Sequence, residues 1–167
     1  IPFRMEFDLQ GEHQKFAYRL LAGLVTPRPI AWVTTQDENG VVNAAPFSFF
    51  NVFGTRPPIL GFAPGDKEPG IPKDTARNIR RTGEFVVNLV DEDSAERMND
   101  TSGEFDLGIC EVDRFHLNTL PSVGITPPRL ADAPVALECR EWSTMEIGHN
   151  RLVIGLIDRI HTREGVL

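Results

Sequence analysis

Arg28-Pro-Ile-Ala-Trp-Val-Thr-Thr35, the turn Asp37-Glu-Asn-Gly40 and the return Val41-Val-Asn-Ala-Ala-Pro-Phe-Ser-Phe-Phe-Asn-Val-Phe53 decide how this chain folds. Val33, Thr34 and Thr35 favour an extended backbone, because β-branched side chains fit a pleated surface. Asn39-Gly40 tolerates the positive φ of a tight turn, so the two runs read as a hairpin. Pro46 has no N–H to give to a ladder, so pairing fails there or the strand lies at an edge. Phe47-Ser48-Phe49-Phe50-Asn51 is then partly free of the sheet, and its three phenylalanines cannot all point inward from one strand. Two readings stay open. One is a core strand with a bulge; the other is a ligand shelf with Ser48 and Asn51 as polar contacts.

The second informative stretch is Lys73-Asp-Thr-Ala-Arg-Asn-Ile79. Asp74 or Thr75 is a preferred N-cap, Ile79 falls on the inner face, and Gly83 stops a helix of about 74–82. Arg80 and Arg81 suit its C-terminal end. Lys73 and Arg77 lie where the helix dipole disfavours cations by roughly 0.3–1 kcal/mol each. An anion at the free N–H groups turns that penalty into attraction. A solvated helix end is the other reading.

Outward from these stretches the chain reads mostly as strands. Residues 16–24 form a covering segment or short helix. Ile59-Leu-Gly-Phe62, Glu84-Phe-Val-Val-Asn-Leu-Val90, Val135–Trp142 and Arg151–Ile160 read as strands, with Gly155 as a bulge or a close backbone approach. Asp91-Glu-Asp-Ser94 caps a short helix through Met98, and residues 101–134 read as loops able to cover a site. Many strands with two or three short helices favour an antiparallel barrel over alternating β/α units.

Taken together, Arg28–Thr35, Asn43-Ala-Ala-Pro-Phe-Ser-Phe-Phe50, Arg56-Pro-Pro-Ile-Leu60, Lys73-Asp-Thr-x-x-Asn-Ile79 and Gly83-Glu-Phe-Val-Val-Asn-Leu89 resemble the flavin reductase-like family, flavoredoxin-type proteins included. The match covers roughly residues 20–90, with a weaker piece at His149-Asn-Arg-Leu-Val-Ile-Gly155. The resemblance implies a six-stranded antiparallel split β-barrel of Greek-key type, a single domain over 1–167, and a homodimer with FMN near the subunit boundary. By position, Pro46, Phe47, Ser48, Phe49 and Asn51 match the loop along the flavin ring. Lys73, Thr75 and Asn78 match its phosphate end. Family members often continue past the last strand, which leaves a C-terminal contribution to the pocket open.

The implied activity is NAD(P)H-dependent reduction of FMN, or of FAD, with NADH or NADPH as a transient donor. Electrons then pass to oxygen, a metal complex or a partner oxygenase. Two alternatives share the same features: a non-enzymatic flavin electron carrier, and a barrel binding another phosphate-bearing ligand.

Composition fits one globular domain of 167 residues with 41% hydrophobic content. A formal charge of −7 argues against a general nucleic-acid binder, which needs a basic face. Cys110 and Cys139 form no Cys-x-x-Cys pair and read as two thiols in a reducing compartment, with a single disulfide as the alternative. No secretory leader or membrane span is read, so the cytoplasm is the expected location. Gly65-Asp-Lys-Glu-Pro-Gly70 has P-loop glycine spacing, but Ile71-Pro72 stands where Lys-Ser/Thr is needed. No Rossmann fingerprint, hydrolase elbow or metal-ligand spacing of histidines occurs. His149 is the one titratable group to follow. It sits in a Gly-His-Asn turn, where it is either a surface histidine or a group that approaches nicotinamide or the flavin edge. Trp32 and Trp142 read as core or interface fillers.

Overall fold

The computed structural model describes residues 4–103, 105 and 109–167. A 3-10 turn at Gln14–Phe16 leads into α1 (Ala17–Leu24), then β1 (Ala31–Gln36), β2 (Val42–Phe47), β3 (Phe50–Thr55) and β4 (Pro58–Phe62). Two short strands, β5 (Asp66–Glu68) and β6 (Ile71–Pro72), precede α2 (Asp74–Thr82) and β7 (Glu84–Leu89). After α3 (Ala95–Asp100), α4 (Glu111–Arg114), β8 (Thr119–Leu120) and β9 (Arg129–Leu130) come the long strands β10 (Val135–Ile147) and β11 (Asn150–Thr162).

The principal sheet has the order β2-β1-β7-β10-β11-β4-β3. Its two edges, β2 and β3, are consecutive in the chain and joined only by Ser48-Phe49, so the sheet must curl back on itself. All seven strands contribute to one interior cluster: Ala31, Val33, Phe47, Phe50, Leu60, Phe62, Phe85, Val87, Leu137, Cys139 and Val153. This is a split barrel, open between β2 and β3. β4 and β7 are separated in the sheet by β10 and β11, a Greek-key connection, and the crossing carries α2, whose Ile79 joins the interior.

Seven strands replace the expected six. The extra strand is β3, which the run of phenylalanines had suggested was loop. Its register is Phe50↔Phe62 through Thr55↔Pro58, with an irregularity at Val52/Gly54. The three phenylalanines are resolved by splitting them across two strands and the corner between. Phe47 and Phe50 point inward, while Phe49 stays exposed at the corner. Pro46 pairs opposite Trp32 on edge strand β2, where its missing N–H costs no ladder bond.

Alternation on β1 sorts a second cluster onto the outer face. Ala31 and Val33 face the barrel, whereas Trp32 packs with Ala44, Val112, Leu117, Leu130 and Ala133. The segment after β7 therefore covers the outside of β1 and β2, where residues 101–134 were expected to cover a site; residues 104 and 106–108 of that stretch lie outside the described residues. Buried Asn88 stitches cover to barrel, donating to the Trp32 carbonyl at 2.9 Å and accepting from Leu130 N–H at 2.9 Å. Ser94 does not cap α3 with its side chain; its hydroxyl donates to Asp91 Oδ1 at 2.7 Å.

Gly155 combines both expectations made for it. A Cβ there would lie 2.5 Å from Phe85 Cζ, and the β10–β11 register shifts opposite it between Glu141 and Ser143. Trp32 is a core residue, but Trp142 is not: it is 69% exposed, on the half of β10 that runs beyond the core. Among the described residues both cysteines are free thiols, and no helix is long and apolar enough to cross a membrane.

Candidate functional site

The corner at Ser48-Phe49 and the start of α2 lie on the same side of the barrel. Two clefts meet there. The larger, about 280 Å³, is lined by Tyr18, Pro46, Phe47, Ser48, Phe49 and Asn150, among others. The narrower, about 40 Å³, is lined by Asn43, Lys67, Thr75, Ser102 and Glu111, among others. Pro46, Phe47 and Lys73 belong to both walls. Lys73 Nζ stands 5.9 Å from the Phe47 ring centroid and has no ionic partner among the described residues.

The helix start differs from expectation. The N-cap is Lys73, with extended backbone (φ −61°, ψ 156°), and no side chain caps it. Asp74 and Thr75 lie inside the first turn instead. The first intrahelical bond runs from Arg77 N–H to the Lys73 carbonyl at 3.0 Å, leaving the N–H groups of residues 74–76 without helical partners. Gly83 ends the helix at φ 71°, as expected.

Thr75 is 1% exposed, and its hydroxyl donates to Asn43 Oδ1 at 2.8 Å. A hydroxyl has a single hydrogen. Thr75 therefore offers an incoming anion its backbone N–H while its hydroxyl proton stays committed to Asn43. Asn43 in turn donates from Nδ2 to Glu111 Oε1 at 2.9 Å. Glu111 is buried, with a second, longer contact from Ala44 N–H at 3.4 Å. Burial pushes its carboxyl above the ordinary range, outweighing those hydrogen bonds.

The remaining charges at the mouth are largely paired. Asp74 lies 3.3 Å from Lys67 Nζ and 3.0 Å from Arg77. Asp66 sits 2.7 Å from Arg151, whose hydrogen bond holds the Asp66 carboxyl below its usual range.

Of the residues predicted from sequence, Pro46, Phe47, Ser48, Phe49, Lys73 and Thr75 are brought together at these clefts. Three are not. Asn51 is the exposed second residue of β3, its Oδ1 accepting from Val52 N–H at 2.8 Å. Asn78 is 3% exposed and turns away from both clefts, donating to Thr35 Oγ1 at 3.1 Å, while its Oδ1 is buried without a partner. His149 occupies the exposed tip between β10 and β11; its carbonyl accepts from Asp66 N–H at 3.4 Å, so the hairpin tip borders the larger cleft while Asn150 lines it. Sequence reasoning missed Glu111, Lys67 and Tyr18. None belongs to a local motif, and Asn43, though inside one, gave no hint of its two partners. Among the described residues no cluster suits a metal ion.

This arrangement suits an elongated ligand with a flat apolar body and an anionic end. The flavin reductase like domain matches residues 23–167. A relative from Deinococcus radiodurans, of uncharacterised function, is 43% identical over 162 residues, covering 95% of this chain and 71% of its own length. Among solved structures, nitrilotriacetate monooxygenase component B from Bacillus cereus superposes with a TM-score of 0.95 at 29% identity, over 100% of this chain and 85% of that one. The 2-nitrobenzoate 2-nitroreductase NbaA from Pseudomonas fluorescens gives a TM-score of 0.87 at 36% identity, over 98% and 79%. A match over nearly the whole chain, on the barrel and clefts described above, means that this chain belongs to the flavin reductase-like family.

Proposed function

We propose that this protein is an NAD(P)H-dependent flavin reductase that holds FMN across the two clefts and passes the electrons to a separate acceptor. The observation that carries this reading is the shared wall: Pro46, Phe47 and Lys73 line both clefts, so one ligand can touch both. Pro46, Phe47, Ser48 and Phe49 would hold the ring. Lys73, the backbone N–H groups at the start of α2, and Ser102 would hold the phosphate.

When bound, FMN supplies the redox chemistry, taking reducing equivalents from NADH or NADPH and releasing them to an acceptor. The protein's part is binding, orientation and exclusion of water. Phe47 packs against Phe62 in the core, with ring centroids 5.3 Å apart and planes tilted by 46°, which keeps the ring wall rigid. Lys73, unpaired among the described residues, gives the phosphate a cation that no acid has to release first. His149 and Asn150 stand at the open end, where nicotinamide would dock.

The names of the similar proteins, a monooxygenase component and a nitroreductase, support an acceptor that is either a partner oxygenase or a small oxidant. The same reading takes residues 1–167 as one domain, working in the cytoplasm as a homodimer. Exposed Trp142 and Ile147 on the β10–β11 arm supply apolar surface for that pairing, and light scattering measures it.

The test is reconstitution. Purified protein titrated with FMN should quench flavin fluorescence with saturating, stoichiometric binding, and Lys73→Ala should weaken it about tenfold or more. Anaerobic NADH or NADPH should then bleach the bound flavin at a catalytic rate. Binding without bleaching leaves an electron carrier; no binding at all ends the flavin reading.

A further inference from the structure

Glu111 is a buried carboxylate in the lining of the narrower cleft whose chemistry the flavin reading leaves unused. It reaches the narrower cleft from α4, on the covering segment, while the residues it contacts lie on β2. The described lining of that cleft holds two lysines, Lys67 and Lys73, and two carboxylates, Asp74 and Glu111. Asp74 is committed to Lys67 and Arg77. Glu111 has no cation bonded to it among the described residues; its partners are the neutral Asn43 amide and Ala44 N–H. With both acids ionised the cleft carries no net lining charge, and a dianion entering it meets an unneutralised buried carboxylate.

We propose that Glu111 takes up a proton as a phosphate-bearing flavin enters the narrower cleft, and so sets the pH range over which the protein holds that ligand. This rests on the flavin reading above and adds a control to it. Three observations lead to it. Glu111 is 4% exposed, so little water screens its repulsion of an incoming phosphate. Protonation leaves one carboxyl oxygen free to accept from Asn43, so the Glu111–Asn43–Thr75 chain that joins α4, β2 and α2 survives the change. Burial already biases the carboxyl toward its neutral form, so little further work is required.

The charged groups that face Glu111 are Lys67 from β5 and Lys73 and Asp74 at the start of α2, with Arg77 behind Asp74. β2 and the residues after α3 that line the cleft contribute Asn43, Ala45, Thr101 and Ser102, none ionisable. On its own element Asp113 and Arg114 are exposed, and Cys110 precedes it half-buried. Asp74 is the neighbouring charge that adds to the upward push on Glu111.

The sign follows from linkage. A ligand that prefers protonated Glu111 binds best below the free protein's Glu111 titration, and its affinity falls as pH rises through it. Glu111→Gln mimics the neutral form and should hold FMN at alkaline pH as well as the native protein does at acid pH.

The experiment is calorimetric titration of the full chain with FMN in two buffers of different ionisation enthalpy, for native protein and Glu111→Gln, with riboflavin as the ligand lacking phosphate. Native protein should take up protons on binding FMN and none on binding riboflavin. Its FMN affinity should fall about tenfold from the acid to the alkaline side of the Glu111 titration, the equivalent of a one-unit shift. The variant should show only the proton exchange of the FMN phosphate itself. Equal proton exchange in native protein and variant, or FMN binding to native protein without uptake at a pH where the FMN phosphate is already a dianion, overturns the proposal and leaves the flavin reading standing. Absence of FMN binding to folded native protein overturns both. The native measurement needs no substitution, so a poorly folding variant does not blunt the test.

Discussion

Glu111 and Glu138 are both sealed from solvent, at 4% and 0% exposure, yet the fold drives their carboxyls in opposite directions. Around Glu138 burial pushes the carboxyl up. It is overcome by Val123 and Gly124 N–H groups at 2.8 Å each and by His161 Nε2 at 2.6 Å, so the group is held below the ordinary glutamate range. Around Glu111 burial wins, because one side-chain amide at 2.9 Å and one backbone contact at 3.4 Å stabilise the anion too little. Depth is therefore a poor guide to charge; the number of well-placed donors decides. Glu138 is a pin that fastens the loop after β8 to the barrel. Glu111 borders an open cleft, and its weaker solvation leaves it free to respond to what enters.

The largest test of this contrast is Glu138→Ala. It takes the acceptor from two part-buried backbone donors and an imidazole and leaves a cavity where a fully buried side chain stood, and we expect a loss of about 3 kcal/mol by urea denaturation. A loss under about 1 kcal/mol would show that water enters the site, and the contrast would fail. Next comes His161→Phe, which leaves the two N–H groups in place and should cost about 1–3 kcal/mol near neutral pH. Asn43→Ala removes the hub between Glu111 and Thr75. It should cost about 1–2 kcal/mol and push the Glu111 carboxyl further upward, read from the pH dependence of its infrared carboxyl band.

A smaller effect follows at Thr75. Because its hydroxyl bonds Asn43 rather than capping α2, Thr75→Val should cost about 1 kcal/mol, and Thr75→Ser should restore most of it. A loss in Thr75→Ser as large as that in Thr75→Val would show that the methyl group's packing matters as much as the hydroxyl bond.

The smallest effect is in the pH dependence of stability. Glu138 has a lowered folded pKa, so the unfolded chain binds more protons; its contribution is present above the unfolded value and is lost as pH falls through the folded one. Glu111 has a raised folded pKa, so the folded chain binds more protons; stability present below the unfolded value is lost as pH rises through the folded one. Glu111→Gln should flatten the alkaline side of the profile, whereas the acid-side loss remains. A flattened acid side would exchange the two roles.

Much of this fold was legible locally. The β1–β2 hairpin, α2 with its Gly83 stop, and strand β7 each rest on a run of β-branched residues or a turn residue whose preference acts within a few positions. Pro46 at an edge also followed from its missing N–H. The errors lie where a local rule met a distant partner. Asp74 and Thr75 are good capping types, but Asn43, 32 residues away, holds the Thr75 hydroxyl. Asn78 looked like a polar contact for a ligand, but Thr35 binds its amide from 43 residues away. Phe47–Asn51 read as partly free of the sheet because its three phenylalanines had no single face to share; the corner at Ser48-Phe49 put Phe47 and Phe50 on two strands.

The sequence by itself determined a β-rich barrel with a short helix over residues 74–82, because strand, turn and stop preferences are written in adjacent residues. Only the tertiary structure placed that helix beside the Pro46–Phe49 corner and brought Glu111 to Asn43 across 68 residues. Contacts made by chain closure leave no periodic trace in the sequence. They depend on which surfaces the curled sheet happens to bring together, and that choice is made by the whole core at once.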